Sequence, residues 1–430
     1  MFCNQCEQTA HGSGCVMSPG VCGKNDDVQS LQEMLLYGLK GMAAYANHAR
    51  RLGKSDETVS AFIEEALFAT MTNVNFDLGS LLEMVLECGR QNLRVMQLLD
   101  EGHVEKFGAP SPGTVKEGTQ AGPGILMTGH DLLDLDNLLK QCEGTPVNVY
   151  THGEMLPAHM YPVLRNHPNL AGHFGGAWQK QKTEFERFTG PTVATTNCVL
   201  IPRESYADRL FTTRCTAVPG GKRIVDDNYS EVIAKAQQCE PLPASPIRET
   251  TTGFHHSVVL SLAGTIVDAV KQGKISRFFV IGGCDGAEPG RNYFSDYAQA
   301  TPADSFILTL GCGKFRIRDY EYGELLGLPR LLDMGQCNNA YSAIMVAAAL
   351  AEAFKCTVND LPLTLVISWF EQKAVAVLLS LLALGVKGIS LGPNPPGFVT
   401  PNVFRILQEK FDLKLTGQSA QQDLATVMAG

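Results

Sequence analysis

The 430-residue sequence has no apolar run of the roughly 18 to 20 residues that a membrane span requires; its longest candidate, around Ala374 to Ala383, has the length of a buried helix. It lacks excess positive charge: the net charge is −9, so neither a nucleic-acid backbone nor an anionic membrane is an expected partner. It opens with Met-Phe-Cys, without a basic segment leading into an apolar one, and a soluble cytoplasmic protein is expected. There are no internal repeats and no low-complexity tracts. Charged residues make up only 18% against 44% hydrophobic, the balance of a well-buried globular protein. At this length one core is too few, and two to three domains are expected.

Cysteine is abundant, with thirteen. A reducing cytoplasm keeps thiols free, and the odd count argues against complete pairing, so metal binding is the better reading. Cys3, Cys6, Cys15 and Cys22 form C-x2-C-x8-C-x6-C in an irregular loop whose glycines permit tight turns. Four thiolates so close together suit an iron–sulfur cluster, and they also suit a structural zinc ion.

After that loop, apolar residues recur at helical spacing through Leu31–Met42, Phe62–Ala69 and Leu81–Leu93, which predicts a three-helix bundle. Residues 108–124 are dense in Gly and Pro and read as a linker. Beyond them β-prone runs (Val147–Tyr150, Thr192–Thr196, Arg277–Ile281, Phe306–Thr309, Leu363–Ile367, Gly388–Leu391) alternate with helical candidates near 157–165, 228–238, 257–272, 338–354, 372–385 and 401–411. This predicts an α/β multidomain fold, an N-terminal α-helical bundle followed by two Rossmann-like parallel-sheet domains. Cuts are expected at 1–112, 113–248 and 249–430, with 240–252 as the break between the sheets.

Open parallel sheets build their sites at strand carboxyl ends. Cys198, Cys284 and Cys312 follow β-runs, as do Glu154 and Glu371, while His130 and Cys337 stand just before helices. Each alone reads as a core or solvated residue; their coincidence makes them a candidate ligand set. Cys88, Cys142, Cys215, Cys239 and Cys356 read as core or incidental. His255 and His256, adjacent on an incipient helix, are expected to point apart.

The blocks MFCNQCEQT, TNVNFD, TGHDLLDLD, YTHGEMLPAHMYP, TNCVLIPRESY, IGGCDGAEPGRNYFSDYA, TLGCGKFR, DMGQCNNAYSA and WFEQKAVAVLLSLLALG together resemble the hybrid-cluster (prismane, hydroxylamine reductase) proteins over almost the whole chain. The resemblance implies a [4Fe–4S] cluster on Cys3, Cys6, Cys15 and Cys22. It implies a hybrid [4Fe–2O–2S] cluster on His130, Glu154, Cys198, Cys284, Cys312, Cys337 and Glu371, with Cys284 carried as a persulfide. Lys373 matches a lysine beside the open face of that cluster, so Lys373, Glu371 and Glu154 are the candidates for proton delivery. Only 129 residues precede His130, which the resemblance marks as a shortened form lacking a second helical bundle. Phe370 stands where a Tyr is common, removing a hydroxyl there.

Thiolates suit sulfide-bridged iron, whereas carboxylate and imidazole suit iron open to oxygen or nitrogen ligands. The implied activity is reduction of hydroxylamine to ammonia and water, with electrons relayed by the first cluster from an external donor protein. Nitric oxide reduction is the alternative enzyme reading, and a nitrosative-stress sensor or protein nitrosylase acting through Cys284 is the non-enzymatic one. A carbon monoxide dehydrogenase-like activity would need nickel, against which the oxygen-rich ligand set argues. A homodimer is expected.

Overall fold

The computed structural model describes residues 2–9 and 12–429. The chain divides into two compact units, Met1–Gly102 with Cys356–Gly430, and His103–Lys355.

In the first unit, helix α1 (Asp26–Arg51) starts where Asn25 accepts from the Val28 N–H at 2.9 Å. Its first turn carries Asp26 and Asp27 and its last carries Arg50 and Arg51, charges that complement the helix dipole. Helix α2 (Glu57–Ala69) is capped in the same way by Asp56, and α3 runs over Leu78–Phe107. The three expected helices are therefore present, and the apolar Gln372–Ala383 helix joins them. It fits because glycine faces it. A Cβ on Gly41 would stand 2.4 Å from the Gln372 carbonyl oxygen, and one on Gly89 would stand 2.1 Å from that of Leu379. The Ser380 hydroxyl donates to the Gly89 carbonyl at 2.8 Å and receives the Asn92 amide at 2.9 Å. Parallel strands Leu363–Ser368, Ser390–Gly392 and Lys414–Leu415 complete this unit.

The second unit holds an eight-stranded sheet: β1 (Gly113–Glu117), β2 (Gly124–Thr128), β3 (Asn148–His152), β4 (Leu170–His173), β5 (Thr192–Ala194), β6 (Leu210–Thr212), β7 (Lys222–Arg223) and β8 (Arg248–Thr252). Their order is β7-β6-β5-β2-β3-β4-β1-β8, parallel except for the antiparallel β1–β8 pair. Strands β9 (Arg277–Gly283), β10 (Ser305–Thr309) and Leu331–Asp333 pair in parallel, with Phe306 against Phe278 and Leu308 against Leu332. The expected layout of helices followed by parallel sheets is what the chain adopts.

Three segments differ from expectation. The stretch read as a linker carries β1, and the stretch read as a break carries β8, the two pairing from Gly113 against Thr252 to Glu117 against Arg248. The prolines lie outside the ladder, and the Thr-rich RETTT run has the β-branched character a strand favours. The 157–165 helix is a 3-10 turn over Gly153–Met160 followed by the short helix Pro162–Arg165, since Pro157 lies within the turn.

Candidate metal centres

In the second unit each expected ligand follows a strand by a few residues: His130 after β2, Glu154 after β3, Cys198 after β5, Cys284 after β9, Cys312 after β10 and Cys337 after Leu331–Asp333. The His130 and Cys337 strands, of five and three residues, were absent from the periodicity reading.

These side chains converge. His130 Nε2 lies 3.8 Å from Glu154 Oε2, and donor atoms of His130, Glu154 and Cys337 all lie within 4.8 Å of one another. The Cys337 N–H donates to Glu154 Oε2 at 2.9 Å. His130 Nδ1 pairs with the Thr196 hydroxyl at 2.8 Å, which directs Nε2 toward the carboxylate. Gln336 joins the two loops, its amide donating to the carbonyls of His130 at 3.0 Å and Glu154 at 2.7 Å.

The other three thiols neighbour this group. Burial pushes the Cys312 thiol well above its ordinary range, and the negative charges of Glu154, Cys198 and Cys284 push it further. Potential anions so crowded in a buried place oppose one another's ionisation unless a cation sits among them. Cys198 has φ of 66°, a left-handed conformation costing a non-glycine residue about 1–3 kcal/mol. It is held there by Gln181, whose amide donates to the Cys198 carbonyl and whose oxygen accepts from the Leu200 N–H. The Cys284 carbonyl accepts from Trp178 Nε1 at 3.1 Å and from the Gln179 amide at 3.3 Å. Arg316 clamps the following turn, reaching Asp285 Oδ1 at 2.6 Å and the Glu288 carbonyl at 2.7 Å. Gly286 has no room for a side chain: a Cβ would stand 2.4 Å from the Cys312 carbonyl oxygen. The donor set and its fixed backbone fit a metal cluster of mixed sulfur and oxygen ligation.

Glu371 and Lys373 belong to the first unit. Glu371 caps the Gln372–Ala383 helix, accepting from the Lys373 N–H at 3.1 Å. Lys373 is buried, its Nζ 5.6 Å from the centroid of the Tyr45 ring and without a hydrogen-bond partner among the described residues.

Also in the first unit, Cys3 and Cys15 are buried and face each other across a short antiparallel bridge, the Cys3 N–H donating to the Cys15 carbonyl at 3.0 Å. Cys6 and Cys22 are half-buried. The Cys22 thiol donates to the Thr72 carbonyl at 3.9 Å, and the Thr72 hydroxyl donates to the Gln5 carbonyl at 3.1 Å. A loop bringing in thiols from both its arms in this way fits a four-cysteine metal site.

Sequence reasoning did not find Thr196, Gln336, Gln181, Trp178 or Arg316. Two of them, Thr196 and Gln336, lie within two residues of a candidate ligand in the chain, but only the fold shows which groups the five hold. The thiols of Cys88 and Cys142 are pushed up to about 12 by burial, as core cysteines are. The rings of His255 and His256 do not point apart: their centroids lie 3.8 Å from each other. His255 is the extended cap before the helix His256–Ser261, so helical spacing does not govern the pair.

A family model described as Prismane/CO dehydrogenase matches residues 1–85 and 77–425. The chain belongs to the Prismane/CO dehydrogenase family. It is accordingly an iron–sulfur oxidoreductase. A protein of Moorella thermoacetica named hydroxylamine reductase is 59% identical over the whole of both chains. One of Thermotoga petrophila with that name is 48% identical, covering 100% of this chain and 99% of the relative. A longer relative from Geobacter metallireducens, also so named, is 52% identical over 90% of this chain but only 70% of its own length, so members differ in size. The fold is shared with a carbon monoxide dehydrogenase from Thermococcus sp. AM4, at TM-score 0.79, 16% identity and coverage of 100% of this chain and 90% of the other. No helix among the described residues is long and apolar enough to cross a membrane.

Proposed function

We propose that this chain reduces hydroxylamine to ammonia and water at a hybrid Fe–S–O cluster. The ligands would be His130, Glu154, Cys198, Cys284 (as a persulfide), Cys312, Cys337 and Glu371. A [4Fe–4S] cluster on Cys3, Cys6, Cys15 and Cys22 would relay electrons from an external donor protein. The observation carrying this reading is the convergence of imidazole, carboxylate and thiol donors in the second unit, with His130, Glu154 and Cys337 mutually within 4.8 Å. Full-length relatives named for this activity support the choice of substrate.

When bound, the iron centre supplies a Lewis acid for the N–O bond and the two electrons its cleavage consumes. The protein's part is positioning and protons. Thr196 holds the tautomer of His130 and Gln336 fixes the loops of His130 and Glu154. Two protons are needed, one for the leaving oxygen and one for the nitrogen. Lys373, buried and free of a hydrogen-bonded partner among the described residues, is assigned as a donor, with Glu371 and Glu154 as the carboxylates that share this task.

The test is anaerobic preparation with iron and sulfide quantitation, then ammonia formation from hydroxylamine with a reduced viologen. Roughly eight irons per chain and catalytic ammonia are expected from two four-iron clusters. Zinc without iron overturns the cluster assignment, and nitrous oxide from nitric oxide with no ammonia from hydroxylamine overturns the substrate.

A further inference from the structure

Lys24, between the last cysteine of the N-terminal loop and the cap of α1, is almost completely buried at 1% exposure. Its Nζ donates to Cys3 Sγ at 3.4 Å and to the Gln32 side-chain oxygen at 3.0 Å. Gln32 is buried too, and the Gly20 N–H donates to the Lys24 carbonyl at 2.8 Å, so the side chain is fixed at both ends. Among the described residues Lys24 meets no carboxylate. An ammonium withdrawn from water against a single neutral amide is costly unless another negative charge balances it. Among the described residues, the only other side chain that its Nζ donates to is Cys3, whose sulfur is a candidate cluster ligand.

We propose that Lys24 is a built-in cation that raises the reduction potential of the N-terminal centre. The inference rests on the reading of Cys3, Cys6, Cys15 and Cys22 as an iron–sulfur cluster. Four thiolates leave such a cluster anionic, and the one electron it takes from a low-potential donor makes it more so. A fixed positive charge on one ligand sulfur, in a place shielded from water, stabilises the reduced form more than the oxidised form. The N–H···S bond acts in the same direction by drawing charge from the sulfur. Lys24 acts through Cys3 and touches no substrate; it is a positioning residue whose effect lies in the potential. The bland alternative is a purely structural lysine tying the loop to α1, which would alter iron retention and leave the potential alone.

The experiment is an anaerobic titration with dithionite and mediators, following by EPR the signal that Cys6→Ser removes. In Lys24→Met with full iron content, the reduced-to-oxidised ratio at the wild-type midpoint is expected to fall at least tenfold, which is about 59 mV for one electron. Lys24→Gln keeps an N–H donor without the charge and is expected to shift the midpoint the same way, while Lys24→Arg stays near wild type. An unchanged midpoint in Lys24→Met overturns the proposal. If the Met variant loses the cluster, the Gln and Arg variants decide, and equal midpoints in these two overturn it. Loss of the cluster in all three makes Lys24 structural and also overturns it. A wild-type spectrum and iron content that Cys6→Ser leaves untouched would instead remove the four-cysteine cluster reading itself.

Discussion

Glycine to alanine is expected to have opposite effects at two helical positions, and the difference measures how tightly the Gln372–Ala383 helix is held. Gly264 lies in the helix Ala263–Lys271 with nothing within 4 Å of where its Cβ would be. Gly264→Ala should therefore gain the ordinary helix preference of about 0.8–1.0 kcal/mol. Gly89 in α3 has the same intrinsic preference, but its Cβ would lie 2.1 Å from the Leu379 carbonyl oxygen and 2.9 Å from the Ala383 Cβ. The first of these is about 1.3 Å short of ordinary contact, and the obstacle is backbone, which no rotamer change relieves. Parting the helices costs about 1–3 kcal/mol as overpacking. It also strains the Ser380–Gly89 hydrogen bond, worth about 1 kcal/mol. Net of the helix preference, Gly89→Ala should destabilise by about 1–3 kcal/mol, leaving the two variants about 2–4 kcal/mol apart. With an m-value near 3 kcal/mol/M, urea midpoints should differ by about 1 M. Circular dichroism in urea under argon makes the measurement. Because Glu371 and Lys373 lead into this helix, Gly89→Ala should also lower hydroxylamine turnover. Equal midpoints for the two variants would refute the reasoning, since the close approach at Gly89 would then carry no energetic weight.

Thr196→Val removes the partner of His130 Nδ1 and should lower iron occupancy or turnover of the second centre about 10- to 100-fold, with the N-terminal cluster signal unchanged; full retention of both would show that the tautomer is set elsewhere. Lys373→Met should keep both iron signals and slow hydroxylamine reduction, and undiminished turnover at every pH excludes it as a needed proton donor. Burial holds His159 down at about 4, from an ordinary value of 6.5. The unfolded chain thus takes up a proton before the folded one does, so this stability is complete above pH 6.5 and is lost as pH falls toward 4. His159→Gln should flatten that slope in urea midpoints measured from pH 7 to 4, and an unaltered slope assigns the loss to other groups. Light scattering on anaerobic protein should give the mass of two chains, and a single-chain mass in low and moderate salt disposes of the dimer.

The helices and the longer strands were legible because each carries its own period: Leu31, Met34, Leu35, Leu39 and Met42 trace one face of α1, and Phe278 to Ile281 form a β-rich run. Strands of three or four residues, such as Leu331–Asp333 and Leu170–His173, are shorter than the window in which a period can be recognised. β1 and β8 were hidden by neighbouring Gly and Pro, whose turn signal dominates a local reading although the ladder begins just beyond them. Of the candidate ligands, Cys198, Cys284, Cys312, Glu154 and Glu371 stood out after β-runs and His130 and Cys337 before helices, and the long sequence blocks named them together. What could not be read was the support around them. Gln336 and Gln181 are ordinary polar residues in the sequence, and their roles depend on carbonyls up to 206 residues away.

That support has a common logic, which bears on how the site tolerates change. Gln181, Gln336, Trp178 and Arg316 all grip backbone carbonyls of turns that bear candidate ligands or of the residues beside them, rather than the candidate ligand side chains themselves. One of these turns is a poor resting conformation, since Cys198 is left-handed, whereas Gly283 and Gly311, with φ of 112° and 71°, take conformations that glycine adopts readily. A bound centre would relieve the crowding that raises the Cys312 thiol, whereas hydrogen bonds to backbone hold the turns whether or not iron is present. Conservative replacement of a ligand, such as Cys312→Ser, should thus disturb the metal more than the fold. Replacement of a clamp, such as Arg316→Met, should release the Cys284 turn and disturb both together.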